Sequence, residues 1–221
     1  MSTTPAAAPS KNEVIKLSDP TLGGTIRETL ANPEADRFAE DDEQFLKFHG
    51  IYQQDDRDLR KTGKKYIMMI RSRIPGGIMT TRQWRAFDEL ATRHGNNTLR
   101  LTTRQCIQFH GVVKSGLGAV IKGINESLLS TLAACGDVNR NVTASPTPAY
   151  TRAREQVQAD ALRTALAVAP KTPAYHSIWV DHVPLSLGDA GRREFSDPLY
   201  GPTYLPRKFK ISFVVPPVND M

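Results

Sequence analysis

Apolar and polar residues alternate along several short stretches of the chain. Each such stretch predicts a β-strand, because successive side chains of a strand point to opposite faces. The stretches are Tyr66–Arg73, Thr98–Thr102, Gln105–His110, Ser177–Val183 and Lys208–Val215. A strong turn signal, Pro75–Gly76–Gly77, ends the first of them. Asn139–Thr143 is expected to be extended as well.

Apolar residues at helical spacing predict three longer helices. The first runs from Thr80 or Thr81 to His94, the second from Gly116 to Ala134, and the third from Thr151 to Val168. A shorter helix is predicted over Thr25–Ala31, and loops are predicted over Gln53–Asp58 and Asp189–Pro206. Strands and helices are mixed without a regular βαβ rhythm, so the predicted fold class is α+β.

The composition is that of a globular protein, and the net charge favours an anionic binding partner. The chain has 221 residues, 39% of them hydrophobic, and a net charge of +6. The positive charge favours nucleic acid, phosphate, a carboxylate-rich cofactor or a small oxyanion as the partner. Residues 1–20 are predicted to be a disordered leader and residues 21–221 one α+β domain. No secretory signal or membrane span is evident, which predicts a cytoplasmic protein.

The cysteines predict neither a disulfide framework nor a metal site. Only Cys106 and Cys135 are present, and neither has a partner at CxxC spacing. Both are expected to be buried structural thiols.

Four of the predicted strands carry two polar residues each at alternate positions. These pairs are Arg71 and Arg73, Arg100 and Thr102, Gln108 and His110, and Lys208 and Lys210. None of these faces contains Asp or Glu, and like charges side by side oppose pairing unless an anion compensates them. If the strands lie together, the cations converge with Arg104, and Arg140 joins them from a polar turn. A solvated sheet face is the alternative interpretation.

At these residues the sequence resembles the haemoprotein subunit of sulfite reductases, in the nitrite/sulfite reductase family. The similar segments are Phe48–Asp58, Arg71–Gly77, Thr80–Trp84, Leu99–Gln105, Gln108–Gly111, Asn139–Val142 and Tyr204–Lys210. They cover the chain from about residue 24 to its end and correspond to the N-terminal half of that subunit. The resemblance implies a ferredoxin-like half domain, with a mixed, mostly antiparallel sheet, flanking helices and the start of the sirohaem-binding region.

The resemblance also implies an activity and its cofactors. Members reduce sulfite to sulfide in sulfur assimilation, with sirohaem lying against a [4Fe-4S] cluster. Electrons come from a flavoprotein or a ferredoxin, and no nucleic acid or membrane takes part. The cluster cysteines belong to a C-terminal half that this sequence does not contain, so no metal ligand is assigned here. The chain as given is therefore not expected to turn over alone.

Site residues carry over position by position. The anion-binding residues implied for catalysis are Arg71, Arg140, Lys208 and Lys210. The residues implied to contact sirohaem are Arg100, Thr102, Arg104, Gln108, His110 and Arg207. Related nitrite reductases tend to carry Asn in place of Lys210, so Lys210 points to sulfite. Because iron in the family is held through cysteine, His110 is expected either to donate a hydrogen bond to the cofactor or to be a polar group that the fold itself satisfies.

Two other interpretations follow from the same residues. The first is a module that binds RNA or another polyanion without catalysis. Such sheets expose aromatic residues beside their cations for base stacking, whereas Phe109 and Phe209 are predicted on the opposite face. The second is an inactive truncated product, suggested by the end of the sequence directly after an apolar strand.

Overall fold

A four-stranded antiparallel sheet forms the centre of the computed structural model, which describes residues 8–148 and 150–217. Its strands are β1 Ile51–Asp55, β2 Tyr66–Arg71, β3 Leu99–Leu101 and β4 Ile107–Val112. They are ordered β1-β2-β4-β3, so β2 and β4 are the central pair. The predicted α+β class is confirmed, as is the mostly antiparallel sheet with flanking helices.

The described residues contain eight α-helices. They are α1 Lys11–Ser18, α2 Ile26–Ala31, α3 Glu40–Phe48, α4 Thr81–His94, α5 Leu117–Glu126, α6 Arg152–Ala167, α7 Ala174–Trp179 and α8 Asp189–Glu194. The start of α4 is as predicted, since the Thr80 hydroxyl caps it by accepting the Gln83 N–H at 3.2 Å. Helix α4 packs on the sheet through Phe87, whose ring centroid lies 5.2 Å from that of Phe109.

A second, smaller sheet lies beside the first. Its two parallel strands are β5 Thr143–Ala144 and β6 Ser212–Phe213. Helix α6 covers them with Ala161 and Ala165, both fully buried. The chain before β6 continues the same parallel alignment, because Asn139 forms a bridge with Phe209. This alignment brings Arg140 next to the basic segment 207–210.

The predicted disordered leader is wrong over residues 11–18, which form α1. The hydroxyl of Ser10 and the side chain of Glu13 cap that helix reciprocally. Ile15 and Lys16 are buried, so the helix is held by tertiary contacts. Residues 1–7 of the predicted leader lie outside the described residues, as do residues 218–221.

Several predicted elements differ in type or length. The helix predicted over Gly116–Ala134 ends at Glu126, because Leu128 adopts a φ of +63° that a helix does not allow. The strand predicted over Ser177–Val183 is wrong, because its first three residues end helix α7, where Tyr175 and Trp179 are buried one helical turn apart, and the rest is not regular strand. Short apolar runs do not distinguish a strand from a buried helix.

The remaining differences concern loops and one strand. The predicted loop Gln53–Asp58 begins inside β1, and the loop Asp189–Pro206 contains α8. Only Ser212–Phe213 of the predicted strand Lys208–Val215 is regular strand. Within the described residues, no helix has both the length and the apolar character needed to cross a bilayer.

Candidate anion-binding site

Three predicted site residues lie in one row across the sheet. Arg71 on β2 is in register with Gln108 on β4, which is in register with Arg100 on β3. Residues in register point to the same face, so these side chains are neighbours. The row begins at the end of β2, where Arg71 is half-buried, and runs to the exposed Arg100 on the edge strand.

A bulge places His110 beside this row. Between the pairs Met68–Val112 and Ile70–Phe109, β4 has one more residue than β2. Gly111 accommodates it with a φ of +73°, and a Cβ there would lie 2.9 Å from that of Asn96. His110 Nε2 lies 3.2 Å from the Gln108 amide. Burial, and then the charges of Arg100 and Arg71, lower the pKa of His110.

The turn between β3 and β4 carries Arg104. The Thr102 hydroxyl shapes this turn by accepting the N–H groups of Arg104 at 3.3 Å and Cys106 at 3.1 Å. Asn141 fixes it from outside, since its side-chain amide donates to the Arg104 carbonyl at 2.9 Å. Thr102, implied as a cofactor contact, therefore has a structural role in the turn that holds Arg104.

Arg140 and the basic segment 207–210 come from the parallel alignment beside the smaller sheet. The Arg140 N–H donates to the Phe209 carbonyl at 3.2 Å, and its side-chain Nε donates to the Gly136 carbonyl at 3.1 Å. Arg207, Lys208 and Lys210 are all exposed on this segment. The sequence predicted that Lys208 and Lys210 belong to a strand at the site. In the structure they lie on an extended segment next to Arg140.

The electrostatics agree with the contacts that bring these segments together. Burial first, and then the charge of Arg140, lowers the pKa of Arg104, and Arg71 adds to the effect. The charges of Arg140 and Arg207 are the largest causes that lower the pKa of Lys208. Like charges that depress one another's pKa lie close together, and they favour the arrival of an anion.

No carboxylate forms an ion pair with this cluster among residues 8–148 and 150–217. We call the cluster the basic face; its cations are Arg71, Arg100, Arg104, Arg140, Arg207, Lys208 and Lys210. None of them takes part in an ion pair within that part of the chain. The charges are therefore available to a ligand.

A cleft of about 880 Å³ opens beside Arg100 and His110, under the hairpin that joins β1 to β2. Its lining also includes Asp55, Asp56 and Asp58, of which Asp55 is paired with Arg60 of the same hairpin. The cleft has the size of a site for a cofactor or another small molecule.

Two residues at the site were not predicted to belong to it. The Cys135 sulfur accepts a hydrogen bond from Arg71 Nη1 at 3.1 Å. Tyr52 lies near the same sulfur, and burial raises the pKa of its hydroxyl while the charges of Arg140 and Arg71 act in the opposite direction. Tyr52 stands in a segment that resembles the family, but its sequence position gives no sign of contact with Cys135.

One expectation about side-chain direction was wrong. Arg73 was expected to share the face of Arg71, but it is buried and donates to the Ala165 carbonyl at 2.8 Å. This departure occurs where the chain has left regular strand geometry. Phe209 is 57% exposed, and its place on the face opposite the cations stays a prediction. Phe109 is fully buried.

Comparison with known proteins relates part of the chain to a known class. Residues 60–127 match the family described as the nitrite/sulfite reductase ferredoxin-like half domain. It is similar to the sulfite reductase [NADPH] hemoprotein beta-component of Xylella fastidiosa, with 47% identity over 218 residues. The corresponding Shouchella clausii protein is 46% identical over 219 residues.

These matches extend over most of the chain but only part of each relative. They cover 96% of this chain and 38% of the length of either relative. Among solved structures, that of the Mycobacterium tuberculosis NirA protein superimposes with a TM-score of 0.62 at 19% identity. The superposition covers 93% of this chain and 35% of the NirA chain, and it supports the fold alone.

Proposed function

We propose that the basic face binds sulfite and the carboxylates of sirohaem, as part of a sulfite reductase that reduces sulfite to sulfide. The observation that carries this proposal is the convergence of seven cations, from four segments of the chain, without an ion-pair partner among the described residues. An oxyanion and a carboxylate-rimmed cofactor both suit such a site, since guanidinium groups bind carboxylates and oxyanions in a planar, bidentate manner.

The residues present fit a sirohaem. Arg100, Arg104 and Arg207 would hold its carboxylates, and Arg100 and His110 line the cleft described above. When bound, sirohaem supplies the redox-active iron at which substrate and electrons meet. The carboxylates would offset the mutual repulsion that now lowers the pKa values of Arg104 and Lys208.

The residues present do not fit a [4Fe-4S] cluster. Such a cluster normally uses four thiolates, and the sequence contains two cysteines. Both are buried, and no group of three or more His, Cys, Asp or Glu within the described residues could hold a metal. We therefore propose that the cluster, and the contact with a flavoprotein or ferredoxin donor, belong to a polypeptide segment beyond this sequence.

The chain's own residues orient the anion and supply protons. Arg71 and Arg140 are half-buried and can form directed hydrogen bonds to an oxyanion. Lys208 holds a proton on Nζ next to Arg140, whose charge lowers the pKa of that ammonium. A more acidic ammonium is the better proton donor when an oxygen of the substrate leaves as water.

The proposal is tested by ligand binding to the full chain. Sulfite, uroporphyrin and a single-stranded RNA oligonucleotide are titrated separately and followed by calorimetry. Uroporphyrin represents the carboxylate rim of the cofactor, and RNA represents the alternative that the exposed Phe209 favours. We expect sulfite and uroporphyrin to bind, and Arg104→Ala to weaken uroporphyrin roughly 10-fold, the loss of one charged hydrogen bond.

The matched control is Arg163→Ala, which removes an exposed arginine of α6 that is paired with Asp160. It should leave the affinity for both anions unchanged. Tight RNA binding without measurable binding of sulfite or uroporphyrin would contradict the proposal and favour the polyanion-binding alternative.

A further inference from the structure

The guanidinium of Arg71 is held on two sides by groups that carry no charge. Cys135 Sγ accepts from Nη1 at 3.1 Å. On the other side, the Gln108 amide oxygen accepts from Nε at 3.0 Å and from Nη2 at 2.5 Å. This orientation of the Gln108 amide is assigned from the hydrogen-bond network, because it also lets the amide nitrogen donate to His110 Nε2 at 3.2 Å.

These contacts leave part of the guanidinium free for a ligand. A guanidinium has five N–H donors. Three of them point to Gln108 and Cys135, one for each of the three contacts above. The other two are on the terminal nitrogens, the atoms that form a bidentate pair with an oxyanion.

The turn that carries Cys135 also holds a second arginine. The carbonyl of the next residue, Gly136, accepts a hydrogen bond from Arg140 Nε at 3.1 Å. The turn is fixed in place, since Gly136 has a φ of +87° and a Cβ there would lie 2.9 Å from the Phe48 ring. Two adjacent residues of one rigid turn therefore orient two arginines of the basic face.

We propose that the Cys135–Gly136 turn, together with Gln108, is a positioning element that fixes the guanidinium groups of Arg71 and Arg140 for an incoming anion. This inference deepens the proposed function and rests on it for the identity of the anion. The turn orients both guanidinium groups without neutralising them, which a carboxylate in its place would do. Preorganised cations bind an anion without a reorganisation cost.

The neutral state of Cys135 agrees with this role. Its thiol is fully buried, and burial raises its pKa although Arg71 and Arg140 act in the opposite direction. The sulfur therefore serves as a hydrogen-bond acceptor and not as a counterion.

The test follows Arg71 directly in the unliganded chain. In ¹⁵N-labelled protein, the side-chain Nε–H and Nη–H signals of Arg71 are assigned by their loss in Arg71→Lys. We expect resolved Nη signals in the wild type, because the hydrogen bonds slow rotation of the guanidinium. Cys135→Ala should average them and weaken sulfite binding roughly 10-fold, whereas Cys135→Ser should restore both.

Cys106→Ser is the matched control, because its buried sulfur contacts the Arg104 carbonyl at 3.5 Å and not Arg71. Gln108→Met is a second variant if Cys135→Ala does not fold, and it should shift the Nε signal of Arg71. Unchanged Arg71 signals in Cys135→Ala or Gln108→Met would overturn the inference. If the wild type shows ordered Arg71 signals but no sulfite binding, the proposed function fails while the positioning of Arg71 is upheld.

Discussion

Lys16 Nζ lies 3.4 Å from Asp137 Oδ2, across 121 residues of sequence. The same ammonium donates to the Leu205 carbonyl at 3.0 Å, and the lysine side chain is only 1% exposed. Asp137 comes three residues before Arg140, and Leu205 comes three residues before Lys208. The first helix therefore ties together the two segments that bring these cations to the basic face.

Removing the Lys16 ammonium should destabilise the protein. In Lys16→Met, Asp137 loses its charged partner in a partly buried position, and we expect a loss of about 3 kcal/mol in the free energy of unfolding. Urea denaturation measures this. Lys11→Met is the control on the same helix, because its ion pair with Glu40 is exposed and should not contribute measurably. Equal effects of the two substitutions would show that Lys16 does not brace these segments.

His49 should make the fold sensitive to acid. It is fully buried, accepts the Trp179 indole N–H at 2.8 Å, and burial lowers its pKa from 6.5 to about 3. At pH values between these two pKa values, His49 binds a proton in the unfolded chain but not in the folded chain. Stability is therefore lost as the pH falls below about 6.5. From pH 7.5 to pH 5 this one group should cost about 2 kcal/mol.

Urea denaturation at the two pH values measures that loss. His49→Gln should reduce the difference in the free energy of unfolding between the two pH values by roughly 2 kcal/mol. The variant itself should be less stable than the wild type at neutral pH. The exposed His176 provides the control His176→Gln, which should leave the pH dependence intact. A pH dependence unaltered in His49→Gln would contradict the assignment.

Neither thiol should react while the protein is folded. Burial raises the pKa of Cys106 to about 11 and also raises that of Cys135. Since the thiolate is the reactive form, iodoacetamide at pH 8 should label neither residue until the chain unfolds, as measured by mass spectrometry. Rapid labelling of Cys135 in the native protein would show that its sulfur is not enclosed between Arg71 and Tyr52.

Substrate and cofactor roles should separate within the basic face. When the chain is co-expressed with the part of the Xylella fastidiosa relative outside the match, we expect a sirohaem spectrum and sulfite turnover. Lys210→Met should lower turnover roughly 100-fold, because a preorganised cation and proton donor is lost, with little change in sirohaem content. Arg104→Ala should instead lower sirohaem content.

Lys210→Asn is the sharper variant, since it should reduce sulfite turnover more than nitrite turnover. If Lys210→Met removed the cofactor as Arg104→Ala is expected to, the two roles would not be separable. Wild-type turnover in Lys210→Met would exclude that lysine from catalysis.

Local pattern determined much of the fold. The alternation along Tyr66–Arg73 and Gln105–His110 and the helical spacing up to His94 predicted elements that the structure contains as β2, β4 and α4. The absence of acidic residues from the strand faces indicated a site for an anion. These features depend on residues close together in sequence, where periodicity is set by backbone geometry.

Tertiary structure decided which residues meet. Arg71 and Arg73 are two apart, yet one joins the basic face and the other is buried under α6, because the strand ends between them. Cys135 reaches Arg71 across 64 residues through a turn fixed against Phe48. Such contacts depend on packing between segments that are distant in sequence, and local periodicity cannot predict that packing. The sequence by itself therefore determined the charges of the site, and the packing of its turns decided how those charges are held.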